Sequence, residues 1–357
     1  MKNILIIMPN DSLGGAEQYL KMLVVFFKNE NIEVVFLKKR DGSQWEDIQK
    51  SISIDYVSTK NEKIGLLLFF VRSLFRKKST YDYIFTSHVY TNALIGLLIS
   101  LKRIQTKKFV ARESTSIFLR YSGFALWTYK LAYHIGYFNI DLLICQTSIM
   151  KNQLLKSFSK LTNRTEIEVI NNPINLSLIQ EKSKEVPNIQ LPKQYIISAG
   201  RLIPEKGYDI LIKALSRIKK KHPDLKLIIL GEGNERKKLE NLITTLELTN
   251  DVILMGYVNN VYGFFKKAKL GVVSSRIEGF PNVLLQMMSQ CNRIVSTECA
   301  GGIDKIPNII TAKTDDVDSL YSAILKSLDN ENSDKNRFAF DQYLAKRDID
   351  NFISQIV

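Results

Sequence analysis

Leu270-Gly-Val-Val-Ser-Ser-Arg-Ile-Glu278-Gly-Phe-Pro281-Asn-Val-Leu-Leu-Gln286 compresses a strand, a loop and a helix into one short stretch. The apolar residues 270–274 read as a buried strand. Pro281 has the fixed φ that suits a first helical position. The helix then continues through Val283, Leu284, Leu285, Met287 and Met288. Its free N–H groups point to the strand end, where a parallel α/β sheet binds its ligands. Glu278 stands in the loop beside this anion-favouring helix end. A carboxylate next to an anion site implies a ligand with both phosphate and hydroxyl groups, such as a sugar nucleotide.

Working outward, strand-like and helix-like segments alternate on both sides, which predicts parallel sheets with crossover helices. In the first half, strands are expected at residues 3–8, 33–38, 83–86, 108–111, 142–145 and 168–170, with a helix at 16–28. In the second half, strands are expected at 194–198, 226–230, 252–255, 270–274 and 292–296, with helices at 208–220 and 235–246. The polar stretch 180–192 has few large apolar residues and two prolines, and reads as a linker. The expected organisation is α/β throughout: one doubly wound domain over 1–179, the linker, and a second over 193–337. A C-terminal helix over 338–357 is expected to return toward the first domain. At 357 residues, two cores are the ordinary outcome.

The chemistry-bearing residues fall just after expected strands. Leu13-Gly14-Gly15-Ala16 joins the first strand to its helix, and glycines there let backbone N–H groups approach a phosphate or sugar. The pair is not a full GxGxxG, and a plain turn is the rival reading. Ser87-His88 and Arg112-Glu113 each follow a strand; the second suits an anionic acceptor group or a solvated ion pair. Arg201 and Lys206 lie on one loop bracketed by Gly200 and Gly207, an arrangement of two cations that suits a diphosphate. Gly231 and the Gly256-Tyr257-Val258 turn follow the next strands. Asp316-Val-Asp318 mimics a metal-binding DxD, but it precedes a helix-like run and reads better as acidic capping.

Four of these segments, taken in order, resemble family 4 retaining glycosyltransferases: Gly14-Gly-Ala-Glu17, Ser87-His88, Gly200-Arg201-Leu-Ile-Pro-Glu-Lys206-Gly207 and the stretch ending at Gln286. The last matches that family's E-x7-E signature, except that Gln286 replaces the second glutamate. The resemblance implies the GT-B fold, two Rossmann-like doubly wound domains facing a central cleft. It implies that Glu278 contacts hydroxyls of the donor sugar, and that His88 contacts the transferred sugar or the acceptor side. Arg201 and Lys206 would meet the leaving diphosphate. Gly15, Gly231, Tyr257, Val258, Gly279, Phe280, Asn282, Val283 and Gln286 would bind the nucleotide sugar, and Gly14, Arg112 and Glu113 the acceptor. With Gln286 at the ribose, an amide can still accept one hydrogen bond, but the charge-assisted part, about 1 kcal/mol, is lost.

Bulk properties narrow the setting. Hydrophobic residues at 45% and charged residues at 24% are ordinary globular values. The three cysteines are far apart and the chain has three histidines, a poor basis for a zinc site; free thiols suit a reducing cytoplasm. The N-terminus does not read as a signal peptide, and the longest apolar run, 66–71, is too short to span a bilayer. Residues 1–175 carry 24 Lys and Arg against 14 Asp and Glu, an excess of ten within the chain's formal +14. No nucleic-acid motif accompanies this charge. Instead, residues 64–78 combine an apolar helix with a cationic end, and residues 118–138 are crowded with aromatics. Both suit an anionic membrane surface or a lipid-acceptor groove, and both equally suit core packing.

The expected function is a metal-independent, retaining transferase with no cofactor. It would move a sugar from a nucleoside diphosphate sugar to a glycan acceptor, lipid-linked and on the cytoplasmic face of the inner membrane. The resemblance suggests bacterial surface-polysaccharide synthesis, O-antigen or capsule. A sugar-nucleotide epimerase on the same fold and a non-catalytic glycan-binding subunit are the alternatives.

Overall fold

A computed structural model describes residues 1–40, 43–49, 52–329 and 333–357. The chain forms two compact units, residues 1–172 with 352–357, and residues 173–351. Each is built on one parallel sheet.

The first sheet contains β1 (Asn3–Asn10), β2 (Asn31–Lys38), β3 (Ser53–Tyr56), β4 (Ser79–Thr86), β5 (Ile104–Glu113), β6 (Leu142–Cys145) and β7 (Glu166–Val169). Their spatial order is β3-β2-β1-β4-β5-β6-β7. The second contains β8 (Tyr195–Ala199), β9 (Lys226–Leu230), β10 (Val252–Gly256), β11 (Leu270–Val273), β12 (Ile294–Thr297) and β13 (Ile310–Ala312), ordered β10-β9-β8-β11-β12-β13. Parallel neighbours need long crossovers, and helices supply them. Both faces of the central strands are therefore covered, and these strands read as continuous apolar runs. Ile4 to Met8 in β1, and Leu227, Ile228 and Ile229 in β9, are essentially inaccessible to solvent.

In both sheets the order reverses at one place, between β1 and β4 in the first unit and between β8 and β11 in the second. At such a switch point the loops leaving adjacent strands diverge and open a crevice at their carboxyl ends.

The seam between the units falls at Asn172–Pro173, ahead of the linker expected over 180–192. Residues 176–182 instead form a helix, Leu176–Lys182, capped by the Asn175 side chain. The polar stretch after it is tied to the second unit: Asn260 Nδ2 donates to the Lys182 carbonyl (2.8 Å) and to Glu185 (2.9 Å). The single C-terminal helix expected over 338–357 is two helices, Ser333–Ala345 and Ile349–Ile356. The break arises because the backbone around Asp348 pairs with Ile174, which donates to the Arg347 carbonyl and accepts from Ile349. The last residues belong to the first unit, where Phe352 packs edge-on against Tyr19 at 5.6 Å.

Candidate active site

In the second unit, four loops gather at the carboxyl ends of β8, β9, β10 and β11. The loop after β8 turns through a short 3-10 segment, Pro204–Lys206, and ends at Gly207, whose φ of 62° favours glycine. A Cβ there would also lie 2.2 Å from the Ser274 carbonyl, so only glycine lets the β8 and β11 loops come this close. Gly231 makes the matching contact between β8 and β9. Its φ is 143°, a Cβ would sit 2.0 Å from the Gly200 carbonyl, and its N–H donates to the Gly256 carbonyl at 2.7 Å.

Within this frame Lys206 Nζ lies 2.5 Å from Glu278 Oε1, and Ser275 Oγ donates to the same oxygen at 2.9 Å. Both charged side chains are mostly buried, 17% and 19% exposed. The Glu278 N–H donates to the Cys299 carbonyl at 2.8 Å, and Ser274 Oγ donates to the Lys206 carbonyl at 2.9 Å. Arg276 ties the two loops together. It donates to the Pro204 carbonyl (2.7 Å), to both oxygens of Asp209 (2.9 and 2.8 Å) and to Asp315 (2.8 Å). Burial raises the Asp209 carboxyl, but the Arg276 guanidinium outweighs it and the group ends below its ordinary range.

The other expected donor-site residues follow strands of the same sheet. Arg201 is exposed on the same loop as Lys206. Tyr257 is 55% exposed and Val258 half-buried after β10. Gly279 and Phe280 are buried, while Asn282, Val283 and Gln286 are half-buried on the helix Asn282–Met288. Pro281 is the residue before that helix rather than its first residue, because its ψ of 101° is extended. Gln286 Nε2 approaches the Tyr262 hydroxyl at 3.5 Å. The Asp316 carboxylate caps the helix Val317–Leu328 through Ser319 N–H (2.8 Å), and Asp318 pairs with Arg217. The Asp316 carboxylate therefore acts as a cap, as its sequence context suggested.

In the first unit, Gly14 precedes the helix Gly15–Phe26, and His88 precedes the helix Val89–Ser100. Glu17, to which the sequence alone gives no role, brings these segments together: its Oε1 lies 3.2 Å from His88 Nε2. Arg112 and Glu113 are only 2% and 4% exposed. Arg112 donates to Ser87 (3.2 Å) and Asn172 (2.7 Å), and its guanidinium lies 4.4 Å from the centre of the Tyr19 ring. Burial pulls it down to about 10. Glu113 accepts from Tyr133 (2.9 Å) and Tyr137 (2.6 Å), and burial pushes its carboxyl up to about 7. Neither side chain is the solvated ion pair or open anion site that their strand-end position suggested; both are held inside the unit.

The two apolar segments divide in the same way. Tyr133 and Tyr137 are core, whereas Phe124 (78%) and Trp127 (56%) are exposed and stack at 5.6 Å. Leu131 and Ile135 continue that exposed stripe along the helix Gly123–Gly136. On the helix Glu62–Phe75, Leu67, Leu68, Val71 and Phe75 are exposed. Both helices pack against Val89–Ser100. Among the described residues, no helix is long and apolar enough to cross a membrane.

Residues 179–345 match the model of the family described as glycosyl transferases group 1. An uncharacterised glycosyltransferase of Methanocaldococcus jannaschii is 33% identical over 239 residues, 62% of this chain and 56% of that protein. The N-acetylgalactosamine-N,N'-diacetylbacillosaminyl-diphospho-undecaprenol 4-alpha-N-acetylgalactosaminyltransferase of Campylobacter jejuni is 32% identical over 204 residues, 57% and 51% of the two chains. The chain thus spans little more than half the length of these relatives. In fold, it is similar to Anabaena Alr3699/HepE in complex with UDP-glucose, with a TM-score of 0.81 at 17% identity over 100% of this chain and 98% of that one. The match to the group 1 glycosyltransferases thus lies in the second unit, and the two Rossmann-like units have the GT-B fold.

Proposed function

We propose that this protein transfers a sugar from a nucleoside diphosphate sugar to a hydroxyl of a lipid-linked saccharide, with retention at the anomeric carbon and without a metal. The observation that carries the proposal is the Lys206–Glu278 pair at the β8/β11 switch point. A nucleoside diphosphate sugar has a use for each partner. Its diphosphate takes the Lys206 ammonium and the Arg201 guanidinium, and the sugar hydroxyls take the Glu278 carboxylate. As the anomeric bond breaks, negative charge grows on the departing diphosphate, and fixed cations stabilise it more than the ground state. The retaining course is what the family resemblance implies.

His88 is assigned to the sugar and acceptor side. Arg112 and Glu113 are assigned a holding role, since both are buried and bonded to Ser87, Asn172, Tyr133 and Tyr137. The lipid-linked acceptor is supported by the undecaprenol-linked substrate named for the Campylobacter jejuni relative. The exposed stripes on Glu62–Phe75 and Gly123–Gly136, with Lys77, Lys78, Arg120 and Lys130 exposed nearby, suit an anionic lipid surface. Surface-polysaccharide assembly at the cytoplasmic face of the membrane is the setting this reading favours.

The test is incubation with candidate UDP- and GDP-sugars and an undecaprenyl diphosphate-linked saccharide, in the presence of EDTA. Nucleoside diphosphate release, with NMR assignment of the new linkage, is the readout. Acceptor-dependent release and an α-linked product from an α-linked donor support the proposal. Isomerised donor, an inverted linkage, or activity abolished by EDTA would contradict it.

A further inference from the structure

The first unit's switch point carries a second pair, and its geometry gives Glu17 a role. Glu17 sits in the first turn of the helix leaving β1, and His88 closely follows β4, the strand beside β1 at which the order reverses. Glu17 is 7% exposed and His88 keeps 30% of its side chain open. The Glu17 carboxylate leans back over Gly14, where a Cβ would come within 2.7 Å of Oε2. Gly14 therefore leaves the space that lets the carboxylate reach His88.

The two imidazole nitrogens differ. Nε2 faces the Glu17 carboxylate at 3.2 Å. Nδ1 is buried and has no hydrogen-bond partner among the described residues. A proton on Nε2 is shared with a carboxylate, whereas a proton on Nδ1 would be a buried donor without an acceptor, which is costly. On β5, Arg112 donates to Ser87, the residue before His88, at 3.2 Å, and Glu113 accepts from Tyr133 and Tyr137.

We propose that Glu17 is a positioning residue that holds His88 in its Nε2–H tautomer and fixes the ring at the first unit's switch point. The inference rests on the reading of His88 as a sugar- or acceptor-facing group. A hydrogen bond to a carboxylate selects both the tautomer and the ring orientation of a histidine.

The experiment is nitrogen-15 NMR of the imidazoles in the full chain. With three histidines, His88 is assigned by the signals lost in His88→Gln. The parent is expected to show His88 as Nε2–H, and Glu17→Ala a mixture of tautomers. In the transferase assay, Glu17→Ala should lower kcat by about 10-fold to 100-fold with donor KM little changed, as a misplaced group does. Glu17→Gln, whose carbonyl can accept the same bond, should recover most of that loss. An unchanged His88 spectrum in Glu17→Ala overturns the proposal, as does a parental kcat. If the alanine variant does not fold, the Glu17→Gln spectrum decides: Nε2–H supports the proposal and Nδ1–H overturns it. Failure of the parent to transfer sugar would count against the proposed function, while the spectrum would still test the pair.

Discussion

Lys206 and Glu278 come from different loops, lie 72 residues apart in sequence, and hold each other at 2.5 Å. Each is therefore occupied by the other in this structure. Removing the carboxylate should free the ammonium for a diphosphate. Glu278→Ala is expected to bind UDP about 5-fold more tightly than the parent, equivalent to about 1 kcal/mol for a partly buried pair. Sugar transfer should nevertheless fall by about 100-fold or more, because the carboxylate proposed to orient the sugar is gone. Titration calorimetry with UDP checks the first part; weaker binding would mean that Glu278 does not compete for Lys206.

Arg276 holds the Lys206 loop from outside the proposed site, with two bonds to Asp209 and one to the Pro204 carbonyl. Lysine cannot reproduce the planar fork. Arg276→Lys should cost about 1 kcal/mol in urea denaturation, discounted because the pair is partly solvated. It should also weaken UDP binding several-fold. Full UDP affinity in a destabilised variant would show that the loop keeps its shape without the clamp.

Gly231 and Gly123 separate steric cost from backbone cost. Both have positive φ, 143° and 55°, but a Cβ at 231 meets the Gly200 carbonyl at 2.0 Å and one at 123 meets nothing within 4 Å. Gly123→Ala should cost about 1 kcal/mol. Gly231→Ala should cost about 3 kcal/mol or more and remove UDP binding. Equal losses in chemical denaturation would contradict the close approach of β8 and β9.

Glu113 gives the fold a pH dependence. Burial raises its carboxyl from 4.5 to about 7, against the opposing hydroxyls of Tyr137 and Tyr133. A carboxyl with a raised folded pKa binds its proton more tightly in the folded state. Its contribution is full below the unfolded value and is lost as pH rises through the folded one. Relative to Glu113→Gln, the parent should therefore lose about 3 kcal/mol of stability between pH 4.5 and about 8. A difference that stays constant across this range would show that Glu113 is ionised in the fold throughout.

Much of this architecture is legible in local pattern. The strand at Lys226–Leu230 and the start of the helix at Tyr208 coincide with the sequence reading, because an apolar run and a helical periodicity are written in neighbouring residues. The two strands that the pattern does not reveal, β3 and β13, are short and lie at sheet edges, where half-exposed residues blur the alternation. Arg276 stands inside the stretch 270–286, yet its partners Asp209 and Asp315 are distant in sequence. Glu17 is visible as one letter of a motif, but its link to His88 crosses between β1 and β4.

By itself the sequence determined eleven of the strands, the α/β alternation, and that chemistry-bearing residues follow the strands, because these depend on short-range spacing. Only the tertiary structure decided which of those residues meet. It joined Lys206 to Glu278 and Glu17 to His88, and it drew Arg112 and Glu113 inside. Strand order brings remote loops together, and burial follows from packing that no local pattern encodes.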